Sequence, residues 1–117
     1  MKFKFIWKTT LLCGIALSLL AAGDEPAQTV SITAQRFSFS PNEITVKKGQ
    51  PVMLVIHSMD VTHGLVIEDL GVRTEVKKGY NTEVRFTPAN AGTFEGKCAH
   101  FCGRGHGSMK MTVHVTE

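Results

Sequence analysis

VSITAQRFSFSPNEITVKKGQPVMLVIHS, residues 30–58, decides the fold, because it reads as strands cut by turns. In VSITAQRFSF (Val30 to Phe39), Val30, Ile32 and Ala34 alternate with polar neighbours. That period of two marks a strand with one buried face. Ser40-Pro41-Asn42 is a turn, EITV (Glu43 to Val46) is a second short strand, and Lys47-Lys48-Gly49-Gln50-Pro51 is another turn. VMLVIHS (Val52 to Ser58) is almost continuously apolar, as expected of a strand in the middle of a sandwich.

Working outward, the same grammar continues. HGLVIED, TEVRFT and GTFEGKC follow, interrupted by Lys78-Gly79, Pro88 and Gly92. KMTVHVT (Lys110 to Thr116) puts Met111, Val113 and Val115 on one face. No stretch has useful helical periodicity, and no repeat or low-complexity tract appears. Seven or eight short strands, spaced by roughly 8–12 residues, predict an all-β antiparallel sandwich. A chain of 117 residues suits one domain with one modest core.

The N-terminus has a different character. Lys2, Lys4 and Lys8 are the only charges in residues 1–23, and LLCGIALSLLAA (Leu11 to Ala22) is a short apolar run ending in small residues. It is shorter than the ~20 residues of a spanning helix and runs directly into Asp24, Glu25 and Pro26. The expectation is a cleaved signal peptide over 1–23, with a short uncleaved anchor as the alternative. Residues 24–29 form a linker and 30–117 the domain. The protein is then exported, periplasmic or equivalent, and membrane-associated only through a partner or a retained leader. Taking the three leader lysines from the 13 basic residues leaves ten against ten acidic ones. A neutral body lacks the basic excess of a nucleic-acid surface.

One stretch breaks the strand pattern. Ala99 to Ser108, AHFCGRGHGS, has three glycines and no alternation, and with its flanks it gives Cys98-x3-Cys102-x3-His106-x2-Met109. Thiolate and thioether are soft ligands and imidazole is intermediate, a set that favours copper over oxygen-seeking magnesium or calcium. His63, in Asp60-Val-Thr-His63-Gly64, is the best donor from outside the loop. His57 and His114 fall on polar strand faces, and Cys13 lies in the leader. No acid–base pair or nucleophile accompanies the loop, which argues against a hydrolase. Several readings of these residues stay open. Cys98 and Cys102 could form one disulfide, as exported cysteines commonly do. His63, Cys102, His106 and Met109 could make a mononuclear blue-copper carrier with Cys98 idle. The same donors could serve a copper chaperone or storage module.

With these motifs the chain resembles the CuA domain of cytochrome c oxidase subunit II, shared with nitrous-oxide reductase. The resemblance spans most of residues 30–117: FSFSPNEITVKKGQPV, DVTHGLVI and the C-x3-C-x3-H-x2-M loop. It implies a Greek-key, cupredoxin-like β-sandwich and two copper ions bridged by Cys98 and Cys102. His63 and His106 are then terminal ligands, one per copper, Met109 a weak ligand, and His100 a ligand through its backbone carbonyl. It also implies outer-sphere electron transfer with a redox protein such as cytochrome c or an oxidase subunit. No chemistry is expected of this chain alone.

Three departures from the family pattern stand out. His100 replaces a glutamate that helps build a magnesium site, which puts that site in doubt. Arg36-Phe37-Ser38-Phe39 stands where the family has a tryptophan-rich segment, and Trp7 is the only tryptophan. The usual two-helix anchor has no counterpart among these residues.

Overall fold

A computed structural model describes residues 27–117; the expected leader, residues 1–23, lies outside them. Nine strands follow in chain order: β1 (Gln28–Gln35), β2 (Ser38–Ser40), β3 (Glu43–Lys47), β4 (Val52–Ser58), β5 (His63–Ile67), β6 (Val72–Val76), β7 (Asn81–Phe86), β8 (Gly92–Lys97) and β9 (Lys110–Thr116). They form two sheets, ordered β2-β1-β4-β7 and β3-β9-β8-β5-β6. The only helical pieces among the described residues are two 3₁₀ turns, Glu68–Leu70 and His106–Ser108. None is long and apolar enough to cross a membrane.

The all-β sandwich is as expected, but three details differ from the sequence reading. The strand read through Phe39 breaks at Arg36-Phe37 and returns as β2, antiparallel to β1. VRTEV (β6) is a strand that alternation alone does not mark, so the described residues hold nine strands rather than seven or eight. The sandwich is also mixed rather than purely antiparallel: β1 runs parallel to β4 and β3 parallel to β9. The cause is topological. After β2 the chain crosses to the second sheet as β3 and returns to lie beside β1 as β4, so the two neighbours share a direction.

The core lies between the sheets. Ile32, Ala34, Leu54 and Ile56 from one sheet meet Leu65, Ile67, Met111 and Val113 from the other, all buried. In β4 only the alternate residues Val52, Leu54, Ile56 and Ser58 are buried, although the run is apolar throughout. Each fully buried Leu or Ile stabilises by about 1.5–3 kcal/mol. Exposed pairs such as Lys48–Glu117 at 3.6 Å contribute at most about 1 kcal/mol. Apolar burial therefore dominates.

The directions of the strands decide where chemistry can sit. β1, β4, β6 and β8 run toward one end of the sandwich, while β5, β7 and β9 start from it. Residues 36–37, 59–62, 77–80 and 98–109 consequently share that end.

Candidate metal centre

Two segments from this end form the cluster. The first turns sharply off β4. The buried Ser58 hydroxyl donates to the Val61 carbonyl, which brings Asp60 back over the end of the sandwich. Asp60 Oδ1 accepts from the Val61 N–H at 2.7 Å and from His63 Nε2–H at 2.7 Å, and Oδ2 accepts from the Arg36 N–H at 2.7 Å. Loss of hydration works against the charged carboxylate. The donors from Arg36, His63 and Val61 outweigh it and hold Asp60 down at about 2. His63 is fully buried at the start of β5. With Nε2–H given to Asp60, its Nδ1 lone pair faces the Cys98 sulfur, 3.9 Å away.

The second segment is the loop from β8 to β9. Its neck is closed where the Cys98 N–H donates to the Met109 carbonyl at 3.0 Å, one step beyond the Lys97–Lys110 rung. Inside it, the His106–Ser108 turn is tied by the His106 N–H to Gly103 O, at 3.1 Å, and the Ser108 N–H to Gly105 O, at 3.0 Å. Gly64 lets the loop pass close to β5: a Cβ there would lie 3.0 Å from the His100 nitrogen. The His100 carbonyl accordingly reaches 3.1 Å from the Cys98 sulfur.

Six expected site residues converge. Cys98 and Cys102 are free thiols with sulfurs 3.8 Å apart, far longer than the ~2.05 Å of a disulfide. His63 Nδ1 lies on the Cys98 side, and His106 Nδ1 is 3.8 Å from the Cys102 sulfur. The Met109 sulfur is 3.8 Å from Cys102, and the His100 carbonyl adjoins Cys98. Each thiol thus has one imidazole and one weaker donor beside it. Donor atoms of His63, Cys98 and Cys102 all lie within 4.8 Å of one another. His57 and His114 stay away, paired with Asn81 at 3.1 Å and Glu43 at 3.3 Å.

Burial pushes the Cys102 thiol up to about 11, reinforced by the adjacent Cys98 and the charge on Asp60, with Arg36 opposing. At neutral pH this sulfur therefore keeps its proton until a cation displaces it. Two thiols, two imidazoles, a thioether and a carbonyl are a set that copper accepts readily. The nearest carboxylate, Asp60, is already occupied by three donors.

Three contributors were not assigned a role from sequence. Asp60 orients His63, and its place three residues before that histidine was the available signal. Arg36 Nε–H donates to the Cys102 carbonyl at 2.9 Å while its backbone N–H holds Asp60, so one residue ties both segments together. The Phe37 ring packs over Gly103 and Gly105 of the loop. A Cβ on Gly103 would come within 3.0 Å of it, and one on Gly105 within 2.5 Å.

Two predictions arise from this geometry. Gly105 has φ −89° and ψ 8°, ordinary for any residue, so Gly105→Ala should be penalised by the contact alone. A loss of about 1–3 kcal/mol is expected in denaturant unfolding. Trimming the ring with Phe37→Ala should make the double variant less than additive. The second concerns acid. Asp60 has a folded-state value of about 2 against an ordinary 3.8. Its contribution is therefore complete above about pH 4 and disappears as pH falls through about 2. Circular dichroism of the metal-free chain should show Asp60→Asn with a shallower pH dependence in that window.

Comparison with known proteins agrees with this architecture. The cupredoxin-like domain profile matches residues 8–113. Two cytochrome c oxidase subunit 2 sequences from Thermus thermophilus are each 36% identical over 89 residues, or 76% of this chain. The alignments span 66% of one and 53% of the other, less than two thirds of either relative. Among solved structures, the periplasmic domain of subunit II of cytochrome oxidase from Bradyrhizobium japonicum superposes with a TM-score of 0.73 at 21% identity, covering 80% of this chain and 87% of that one. Auracyanin A, a "blue" copper protein from Chloroflexus aurantiacus, gives 0.65 at 17%, covering 78% and 100%. At these identities the two structures speak to the fold alone.

Proposed function

This chain belongs to the cupredoxin-like domain family, and on that premise we propose that it is an exported electron carrier with a binuclear, CuA-type copper centre. The observation that carries the reading is the two-ended donor set. Two thiols stand side by side, with His63 beside one and His106 beside the other. A mononuclear site leaves Cys98 without a purpose, yet Cys98 is buried and faces His63, the His100 carbonyl and Cys102. The 36% identity to oxidase subunit 2 sequences supports the same reading.

Copper, when bound, supplies a reversible one-electron couple. The protein's own residues keep the surroundings constant. Cys98 and Cys102 give up their protons on binding, His63 is held in one tautomer by Asp60, and Met109 and the His100 carbonyl serve as weak donors. Burial of both sulfurs keeps water from the cluster, and the loop's closed neck limits movement when charge changes. The partner is a redox protein, an oxidase subunit or a cytochrome c. Residues 30–117 form the working domain, released by cleavage after Gly23.

The test is copper per chain together with electron paramagnetic resonance. Two ions, with hyperfine coupling shared over two nuclei, are expected; one ion with an ordinary blue-copper signal would sink the proposal. His100→Gln should keep both ions and the spectrum, because only the backbone carbonyl of residue 100 faces the cluster. Loss of copper on that substitution would make the imidazole itself a ligand.

A further inference from the structure

Every large apolar side chain that is well exposed among the described residues lies at the cluster end: Phe101 at 73%, Tyr80 at 68%, Met59 at 61% and Phe37 at 37%. Charge is divided the same way. The loops of this end (36–37, 59–62, 77–80 and 98–109) hold Arg36, Lys77, Lys78 and Arg104 against Asp60 alone. The loops of the far end carry Lys48 against Glu68, Asp69 and Glu117. The loops are therefore polarised from one end of the sandwich to the other, basic and aromatic where the sulfurs are.

We propose that this end is a docking surface for a redox protein with an acidic rim around an apolar centre. The redox nature of the partner rests on the electron-transfer reading above. Phe101 lies between Cys98 and Cys102 in the chain, its ring centroid 5.7 Å from that of His106. A partner seated on Phe101 is thus only a few atoms from the donor set. Beside it a groove of about 290 Å³, lined by Arg36, Thr62, His100 and Phe101 among others, can take an apolar side chain from the partner. Arg36 lines this groove, and Lys77, Lys78 and Arg104 stand in the loops of the same end. Such a layout orients an acidic partner at a distance and lets apolar contact complete the complex. Small interfaces of this kind suit brief encounters.

The surface can be tested on the copper-free full chain, so its outcome is independent of the copper count. The probes are two soluble c-type cytochromes, one acidic around its haem edge and one lysine-rimmed, followed by amide shifts in nuclear magnetic resonance. The acidic cytochrome is expected to shift residues of the four loops, with affinity falling about tenfold or more between roughly 10 and 200 mM salt. Lys77→Glu combined with Arg104→Glu should weaken it by a similar factor. Phe101→Ala should weaken it even at high salt, where charge is screened. Equal or tighter binding of the lysine-rimmed cytochrome overturns the proposal. So does a footprint at the far end, self-association through this face, or displacement of the cytochrome by anionic phospholipid vesicles. If copper binding fails while this footprint stands, the electron-transfer reading falls and the acidic-partner surface survives it.

Discussion

Cys98→Ser is expected to lower bound copper from two ions per chain to at most one, and to abolish the hyperfine pattern shared between two nuclei. The reasoning lies in the arrangement of donors. His63 Nδ1, the His100 carbonyl and the Cys102 sulfur all face the Cys98 sulfur, at 3.9, 3.1 and 3.8 Å. Removing that sulfur takes from each a common neighbour that a hydroxyl cannot replace, since serine oxygen is a hard donor and stays protonated near neutral pH. A mononuclear carrier predicts the opposite result. There Cys98 is idle, and the variant keeps one copper per chain with an unchanged blue spectrum. The fold itself should survive. Serine is close to cysteine in size, and Cys98 sits at the cluster end of a core whose bulk is the aliphatic side chains of both sheets. Circular dichroism of the copper-free variant, matched to that of the unaltered chain, separates loss of the site from loss of the fold.

How much of this was legible beforehand depends on how local each feature is. Strands β4 and β9 announce themselves because their inward residues, Leu54 and Ile56 or Met111, Val113 and Val115, are strongly apolar at period two. Strand β6 has the same period, but its middle inward residue is Thr74, between Arg73 and Glu75, and so it passes for a loop. The parallel pairing of β1 with β4 is invisible locally, since alternation fixes a face and not a neighbour. The donors were legible because soft side chains at fixed spacing are rare and point to one chemistry. Their supports were not. Arg36 meets Asp60 across 24 positions and Cys102 across 66, distances closed only by the topology. Nor does a glycine state what packs on it. The Phe37 ring against Gly105 follows from the break between β1 and β2, which local alternation does not mark.

Copper held by this cluster should stay bound through repeated reduction and reoxidation, and this result separates a carrier from a delivery module. The soft donors alone serve either purpose, because thiols and a thioether hold Cu(I) in both. What differs is access and freedom to rearrange. Cys98 and Cys102 are each 5% exposed, and Met109 and His63 are fully buried. The loop is pinned at its neck by Cys98 and Met109, at its middle by Arg36 and along its flank by Gly64 and Phe37. Transfer to an acceptor requires a thiol of the acceptor to reach the metal, and buried sulfurs under a tied loop oppose that. Electron transfer requires only that the ligands stay put, which the same ties favour. The decisive experiment loads the protein with copper, reduces it with a small-molecule donor and reoxidises it with a soluble cytochrome c while bound copper is measured. Retention over many cycles with fast exchange is the expected outcome. Loss of copper on reduction, or rapid transfer to a metal-free acceptor domain without redox turnover, would assign this fold to delivery. Arg36→Gln tests the tie itself. Freeing the Cys102 carbonyl should speed copper loss if the tied loop is what retains the metal, and unchanged retention would show that this tie does not hold it.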